Sequence, residues 1–117
     1  MTYFLNRSLI ILIFHENLIQ CLYITGCLRE INEWTKDTHT KKNMATLMDK
    51  TLIRPEPYGV VLIIGSWNYP LHITLSPLSG AISAGNCAVV KPSEISPHTA
   101  QAIEQLLPRY VDPDCFK

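Results

Sequence analysis

The side chains able to act on a small molecule fall in two short clusters. Gly65-Ser66-Trp67-Asn68-Tyr69-Pro70 contains an amide, Asn68, that either donates a hydrogen bond in catalysis or forms the turn suggested by the aromatic-proline pair after it. Lys91-Pro92-Ser93-Glu94 contains an amine and a carboxylate that read, taken alone, as a solvated ion pair of small energetic worth. Trp67 either walls a ligand or covers the end of a sheet. These four residues make a site only if the fold brings them together. Other familiar chemistries are missing: there is no GxGxxG and no GxxxxGK[ST] phosphate loop. Cys21, Cys27, Cys87 and Cys115 form no CxxC pair, and His15, His39, His72 and His98 are scattered, so no metal site is expected.

The elements that must position the clusters predict that they meet. Pro55-Glu56-Pro57-Tyr58-Gly59 is a turn that no helix tolerates. Val60-Val61-Leu62-Ile63-Ile64 follows, an unbroken apolar run rich in β-branched residues, which predicts a strand covered on both faces. From Leu71 to Ala84, Leu71, Leu75, Leu78 and Ile82 share a helical face, with Ser79, Gly80 and Ala81 small enough to approach a sheet closely. Pro77 predicts an irregular or kinked start to that helix. Gly85-Asn86 suits a C-terminal cap, and Cys87-Ala88-Val89-Val90 reads as a second short buried strand.

Strand, helix and strand over residues 60–90 match a βαβ unit, whose crossover is right-handed and whose strands are parallel. Both clusters then emerge at one carboxyl edge, where open α/β sheets bind ligands. Ser96 as N-cap and Pro97 as first helical residue start another helix with Ala100, Ile103 and Leu107 inward. That helix ends before Pro108, and Cys115-Phe116 opens a third strand. The expected fold class is α/β: a partial Rossmann-like parallel sheet, βαβ plus a following helix, preceded by a helical N-terminal segment and not completing a domain.

At 117 residues the chain has length for one small domain and not for two. Apolar residues reach 47%, which excludes global disorder, and ten basic side chains balance ten acidic ones, so no net field draws it to nucleic acid or an anionic membrane. Much of the hydrophobicity lies in the first 28 residues. The run Leu9-Ile10-Ile11-Leu12-Ile13-Phe14 is broken by His15-Glu16-Asn17, too polar for the middle of a membrane span, and is slightly short for a signal-peptide core. Asn6-Arg7-Ser8 matches a glycosylation sequon, which matters only in a secreted chain. Residues 1–27 are therefore set apart as an apolar segment whose burial is expected ahead of a signal peptide, and a signal peptide ahead of a span. From Leu28, Ile31 and Trp34 predict a short amphipathic helix, and Met44, Leu47 and Met48 predict a core-facing stripe.

The stretch Glu56-Pro57-Tyr58-Gly59-Val60-Val61-Leu62-Ile63-Ile64-Gly65-Ser66-Trp67-Asn68-Tyr69-Pro70, with Gly85-Asn86 and Lys91-Pro92-Ser93-Glu94 in order, closely resembles the aldehyde dehydrogenase superfamily. Trp-Asn-Tyr-Pro and Gly-Asn-Cys-Ala-Val-Val-Lys-Pro-Ser-Glu-Ile-Ser are most similar to its class 3 branch. The likeness runs from about Leu28 to Lys117. It implies a partial NAD-binding domain over 28–117 and a parent activity of NAD(P)-dependent aldehyde oxidation to carboxylic acids. In that family a cysteine thiolate attacks the aldehyde, an amide and a backbone N–H hold the oxyanion, and hydride passes to the nicotinamide. Asn68 matches the catalytic amide. Lys91 and Glu94 match the pair on the adenosine ribose hydroxyls, a carboxylate that disfavours a 2′-phosphate, so NAD is the expected cofactor with NADP tolerated. Ile64, Ser66 and Trp67 match backbone and wall positions beside the cofactor.

The family's second glycine motif, general-base glutamate and nucleophilic cysteine match positions beyond Lys117, as does its dimerisation element. The 117-residue chain is therefore expected to oxidise no aldehyde by itself. Cys87 and Cys115 match no nucleophile and are expected to be inert thiols. A cytoplasmic location without membrane attachment is expected. Two further readings stand beside this one: a non-catalytic chain that pairs with longer relatives through exposed strand edges, and a membrane-associated peptide using residues 8–28.

Overall fold

The computed structural model describes the backbone of residues 2–117 and the side chains of residues 15–117. One helix, α1 (Thr2–Trp34), opens the chain. No proline precedes Pro55 and Gly26 is the single glycine before Gly59, so no residue breaks it from within. The short helix expected from Leu28 is the carboxyl end of α1, and the helix is continuous across residues 27 and 28. The side chains of Leu9 to Phe14 and of the Asn6 sequon lie outside the described residues. Among the described residues no helix is long and apolar enough to cross a membrane.

A small antiparallel pair follows, β1 (Thr38–His39) with β2 (Leu52–Ile53), closed by a two-pronged Asp37–Arg54 ion pair at 2.8 and 3.0 Å. That guanidinium holds the Asp37 carboxyl below its ordinary range. Between the strands Asn43 and Thr46 cap each other reciprocally around a single 3-10 turn, Met44–Thr46. One turn cannot present a stripe to a core. Met44, Leu47 and Met48 are accordingly exposed, which corrects the buried stripe expected from their spacing.

The rest of the chain is the expected unit: β3 (Val60–Ile64), α2 (Pro70–Ser83), β4 (Cys87–Lys91) and α3 (Pro97–Leu106). β3 and β4 pair in parallel, Val60 opposite Cys87 through Ile64 opposite Lys91. Buried Asn86 sets that register at its start, accepting the Gly59 N–H at 2.9 Å while Cys87 N–H reaches the Gly59 carbonyl at 2.8 Å. α2 ends in a Schellman cap: Gly85 takes φ 77°, its N–H bonds the Ile82 carbonyl, and the Asn86 N–H bonds Ala81. The helix runs unbroken through an exposed Pro77, so no irregular start occurs there. At the other helix, Ser96 occupies the N-cap position of α3 but makes no cap, because its hydroxyl turns back to the Ser93 carbonyl.

The core is Ile63, Leu78, Ala81 and Ala88, bordered by Val61, Leu75, Val90, Leu107 and Phe116. Thr74, Leu78 and Ala81 form the inner line of α2, while Ile82, expected inward, is exposed. The two-sided burial expected of the strands is also absent within these residues. Helices pack on one face, and on the other Val60, Leu62, Ile64 and Val89 are 69%, 64%, 65% and 44% exposed. Beside β4 the third strand begins, as Phe116 forms a parallel bridge with Ala88.

Candidate functional site

Ile64 and Lys91 are the last paired residues of β3 and β4, so the two polar clusters leave the sheet side by side. The Gly65 N–H bonds the Lys91 carbonyl at 2.9 Å and carries the pairing one residue further. Gly65 is buried, and a Cβ on it would sit 2.2 Å from the Thr74 hydroxyl. Thr74 cannot yield, being fully buried with its hydroxyl donating to the Pro70 carbonyl at 2.7 Å. Only glycine lets β3 end this close to α2.

The turn after Gly65 is strained and pinned. The Ser66 hydroxyl donates to Asn68 Oδ1 at 2.7 Å. With that oxygen occupied, the Nδ2 hydrogens of Asn68 are left for a ligand, on an exposed side chain. Tyr69 stands at φ 57°, ψ 53°, a left-handed conformation that costs a non-glycine residue roughly 1 kcal/mol or more. It is the N-cap of α2 and offers no side-chain cap, while Pro70 begins the helix. The missing acceptor comes from α1: Glu16 Oε1 accepts the His72 N–H at 2.9 Å, a carboxylate at the positive end of the helix. One turn along, buried Gln20 accepts from Ser76 at 2.8 Å, and Ser76 meets His72 Nδ1 at 3.0 Å. The polar break at His15-Glu16-Asn17 thus docks α1 against the start of α2, directly behind the turn that carries Asn68.

On the β4 side Lys91 Nζ bonds Glu94 Oε2, one i,i+3 pair on the surface. That hydrogen bond holds the Glu94 carboxyl below its ordinary range, so at neutral pH the pair is an ammonium and a carboxylate. Buried Ser93 shapes the intervening turn, its hydroxyl accepting the Ile95 N–H at 3.3 Å. Trp67 is exposed and does not cover the sheet end. Ile64 sits beside Lys91 on the open face.

The structure therefore brings Ile64, Ser66, Trp67, Asn68, Lys91 and Glu94 to one carboxyl edge. Sequence reasoning missed the residues that hold the edge in place: Gly65, Thr74, Glu16 and Gln20. Gly65 carried a usable signal, a glycine ending an apolar strand; Glu16 carried only its interruption of an apolar run. A groove of about 490 Å³ between β4 and α3 is lined by apolar residues such as Val90, Ile103 and Phe116 and includes none of the six. Cys87 opposes Val60 at the other end of the strands, roughly 13 Å from the edge at the usual rise per residue.

Residues 13–116 match the model of the aldehyde dehydrogenase family, a span that begins inside α1 ahead of Leu28. Human aldehyde dehydrogenase family 3 member B1 is 53% identical over 93 residues, covering 80% of this chain and 20% of that protein. Rat aldehyde dehydrogenase family 3 member A2 is 49% identical over 102 residues, 87% of this chain and 21% of its own. Among solved structures, the substrate-bound state of Staphylococcus aureus AldH superposes with a TM-score of 0.81 at 37% identity, over 85% of this chain and 22% of that one. The chain thus spans about a fifth of the length of the curated relatives it matches. With the parallel strands, the polar carboxyl edge and these likenesses in agreement, the chain belongs to the aldehyde dehydrogenase family, in its class 3 branch.

Proposed function

We propose that residues 28–117 supply part of the cofactor site of an NAD(P)-dependent aldehyde dehydrogenase that oxidises aldehydes to carboxylic acids, with residues 1–27 as an apolar segment that packs behind it through Glu16 and Gln20. The observation that carries this is the pairing, on one sheet edge, of an amide donor whose oxygen is already occupied with an ionised Lys91–Glu94 pair. The donor set fits a nicotinamide dinucleotide, since the ammonium can donate to, and the carboxylate accept from, adjacent ribose hydroxyls. When bound, that cofactor supplies the hydride acceptor. The chain's own residues bind and orient. Asn68 directs Nδ2 at the oxyanion that develops on the aldehyde oxygen, and Ser66 keeps the carboxamide turned that way. Losing such a donor costs roughly 10²–10³ in rate. Glu94 repels a 2′-phosphate, which favours NAD over NADP. Ile64 and Trp67 provide apolar walls.

A titration of the chain with NAD and NADP, followed by backbone amide NMR shifts, tests the binding half. Shifts at residues 64–68 and 91–94, stronger with NAD and lost in Glu94→Ala, are expected; a titration that moves neither segment overturns the assignment. With Cys87 and Cys115 at the far end of the strands, the 117-residue chain should form no NADH from any aldehyde. Turnover that disappears in Asn68→Ala would refute that. A cytoplasmic setting is proposed on the four thiols that form no disulfide framework, and flotation with liposomes, as residues 8–28 would allow, should not occur. The exposed line Val60, Leu62, Ile64 and Val89 favours a second reading, association with longer relatives, which co-purification tests.

A further inference from the structure

Three backbone hydrogen bonds place the third strand against β4: Ala88 N–H to the Cys115 carbonyl at 2.9 Å, Lys117 N–H to the Ala88 carbonyl at 3.0 Å, and Val90 N–H to the Lys117 carbonyl. This is a parallel register with Ala88 opposite Phe116, and it sets Cys87 directly opposite Cys115. Ala88 points into the core, so by alternation Cys87 in β4 points to the open face, and the Cys115 side chain, in the turn that leads into Phe116, lies within hydrogen-bond reach of it. Neighbouring strands lie about 4.8 Å apart, inside the Cα separation of about 4.4–6.8 Å that a disulfide spans. Both residues are half-buried and neither is bonded to another cysteine.

From this register we infer that Cys87 and Cys115 form a reversible dithiol–disulfide site that latches the third strand to β4. The inference is independent of the proposed dehydrogenase activity and revises the expectation that both thiols are inert. The two sulfurs already sense each other, since the Cys87 side chain pushes the Cys115 thiol up to about 11. The oxidant is a low-molecular-weight disulfide such as oxidised glutathione. One protein thiol loses its proton and attacks a sulfur of that disulfide; the external S–S bond breaks, one small thiol leaves and a mixed disulfide remains. The second protein thiol loses its proton, attacks the protein-side sulfur and expels the second small thiol. Two protein S–H groups and one external disulfide become one protein disulfide and two external thiols, with two electrons passed outward.

Trypsin provides the assay. Arg54 and Lys91 precede prolines, so Cys87 lies in peptide 51–109 and Cys115 in peptide 110–117, both apart from Cys21 and Cys27 in peptide 8–29. The folded chain, treated with oxidised glutathione, alkylated and digested, should yield the 51–109/110–117 crosslink in roughly tenfold excess over any link to 8–29. Dithiothreitol should reverse it, and guanidinium present during oxidation should abolish the preference. Cys115→Ser should leave a glutathione adduct on Cys87 instead, a readout independent of how stable the crosslink is. Equal crosslinking among all three peptides, or adducts at Cys87 and Cys115 in the unsubstituted chain with no link between them, would overturn the inference.

Discussion

Gly65 and Glu94 show how differently single residues hold this edge. Gly65→Ala forces a Cβ onto a hydroxyl that has nowhere to go, and overpacking of that kind costs about 1–3 kcal/mol. Urea unfolding should show the loss, and Thr74→Ala in the same chain should recover part of it, because the remaining contact to the Thr74 Cβ, at 3.4 Å, is ordinary. Glu94 contributes through charge on an exposed surface. Its folded carboxyl lies below the ordinary value, so the ion pair's small stabilisation is complete above the unfolded carboxyl's range of about 4.3 and disappears as pH falls through the lower folded value. An NMR titration should place the Glu94 midpoint below that of a free glutamate, and Lys91→Met should raise it part of the way back, because the backbone N–H that Glu94 also accepts from remains. No change in Lys91→Met would mean that the pair does not form in solution.

Among the elements, α1 matters most for the site although it contributes none of the six edge residues. Its Glu16 caps α2, and α2 anchors the turn bearing Asn68. Glu16→Ala should cost about 1 kcal/mol, as loss of an N-cap does. Glu16→Gln keeps the acceptor oxygen and should lose only the charge–dipole share, about 0.3–1 kcal/mol. If the two variants melt alike and like the parent, the cap does not operate. Two glycines provide a contrast in sign. Gly26 lies inside α1 with open space around its Cβ position, so Gly26→Ala should stabilise by about 0.5–1 kcal/mol. Gly85 closes α2 at positive φ, so Gly85→Ala should destabilise by about 1–2 kcal/mol. Thermal melts of the pair should move in opposite directions.

For the molecule as a whole, the open face of the sheet is the dominant feature. A radius of gyration of 19.5 Å exceeds the roughly 13 Å of a compact chain this long, because α1 extends the molecule to 74 Å along one axis. Val60, Leu62, Ile64 and Val89 form a contiguous apolar strip on the strands, the kind of surface that self-associates. Leu62→Lys should shift sedimentation toward the monomer with stability changed by no more than about 0.5 kcal/mol. Unchanged association in that variant would show that the strip is not the contact.

The sequence by itself determined what local physics controls. Proline and glycine punctuation set the ends of β3, α2 and β4, β-branched runs set the strands, and the short βαβ crossover set their parallel direction; together these put Asn68, Lys91 and Glu94 on one edge. Only the tertiary structure decided where each face pointed. An unbroken apolar run states that a strand is to be buried and not by what, so two-sided burial was expected where one face is open. Met44, Leu47 and Met48 have helical spacing, but a capped 3-10 turn ends before a stripe can form. Glu16 reads as a polar interruption until α1 lies along α2, 56 residues later in the chain, and the interruption becomes a cap. Contacts of that kind join residues with no local relation, and no pattern of spacing encodes them.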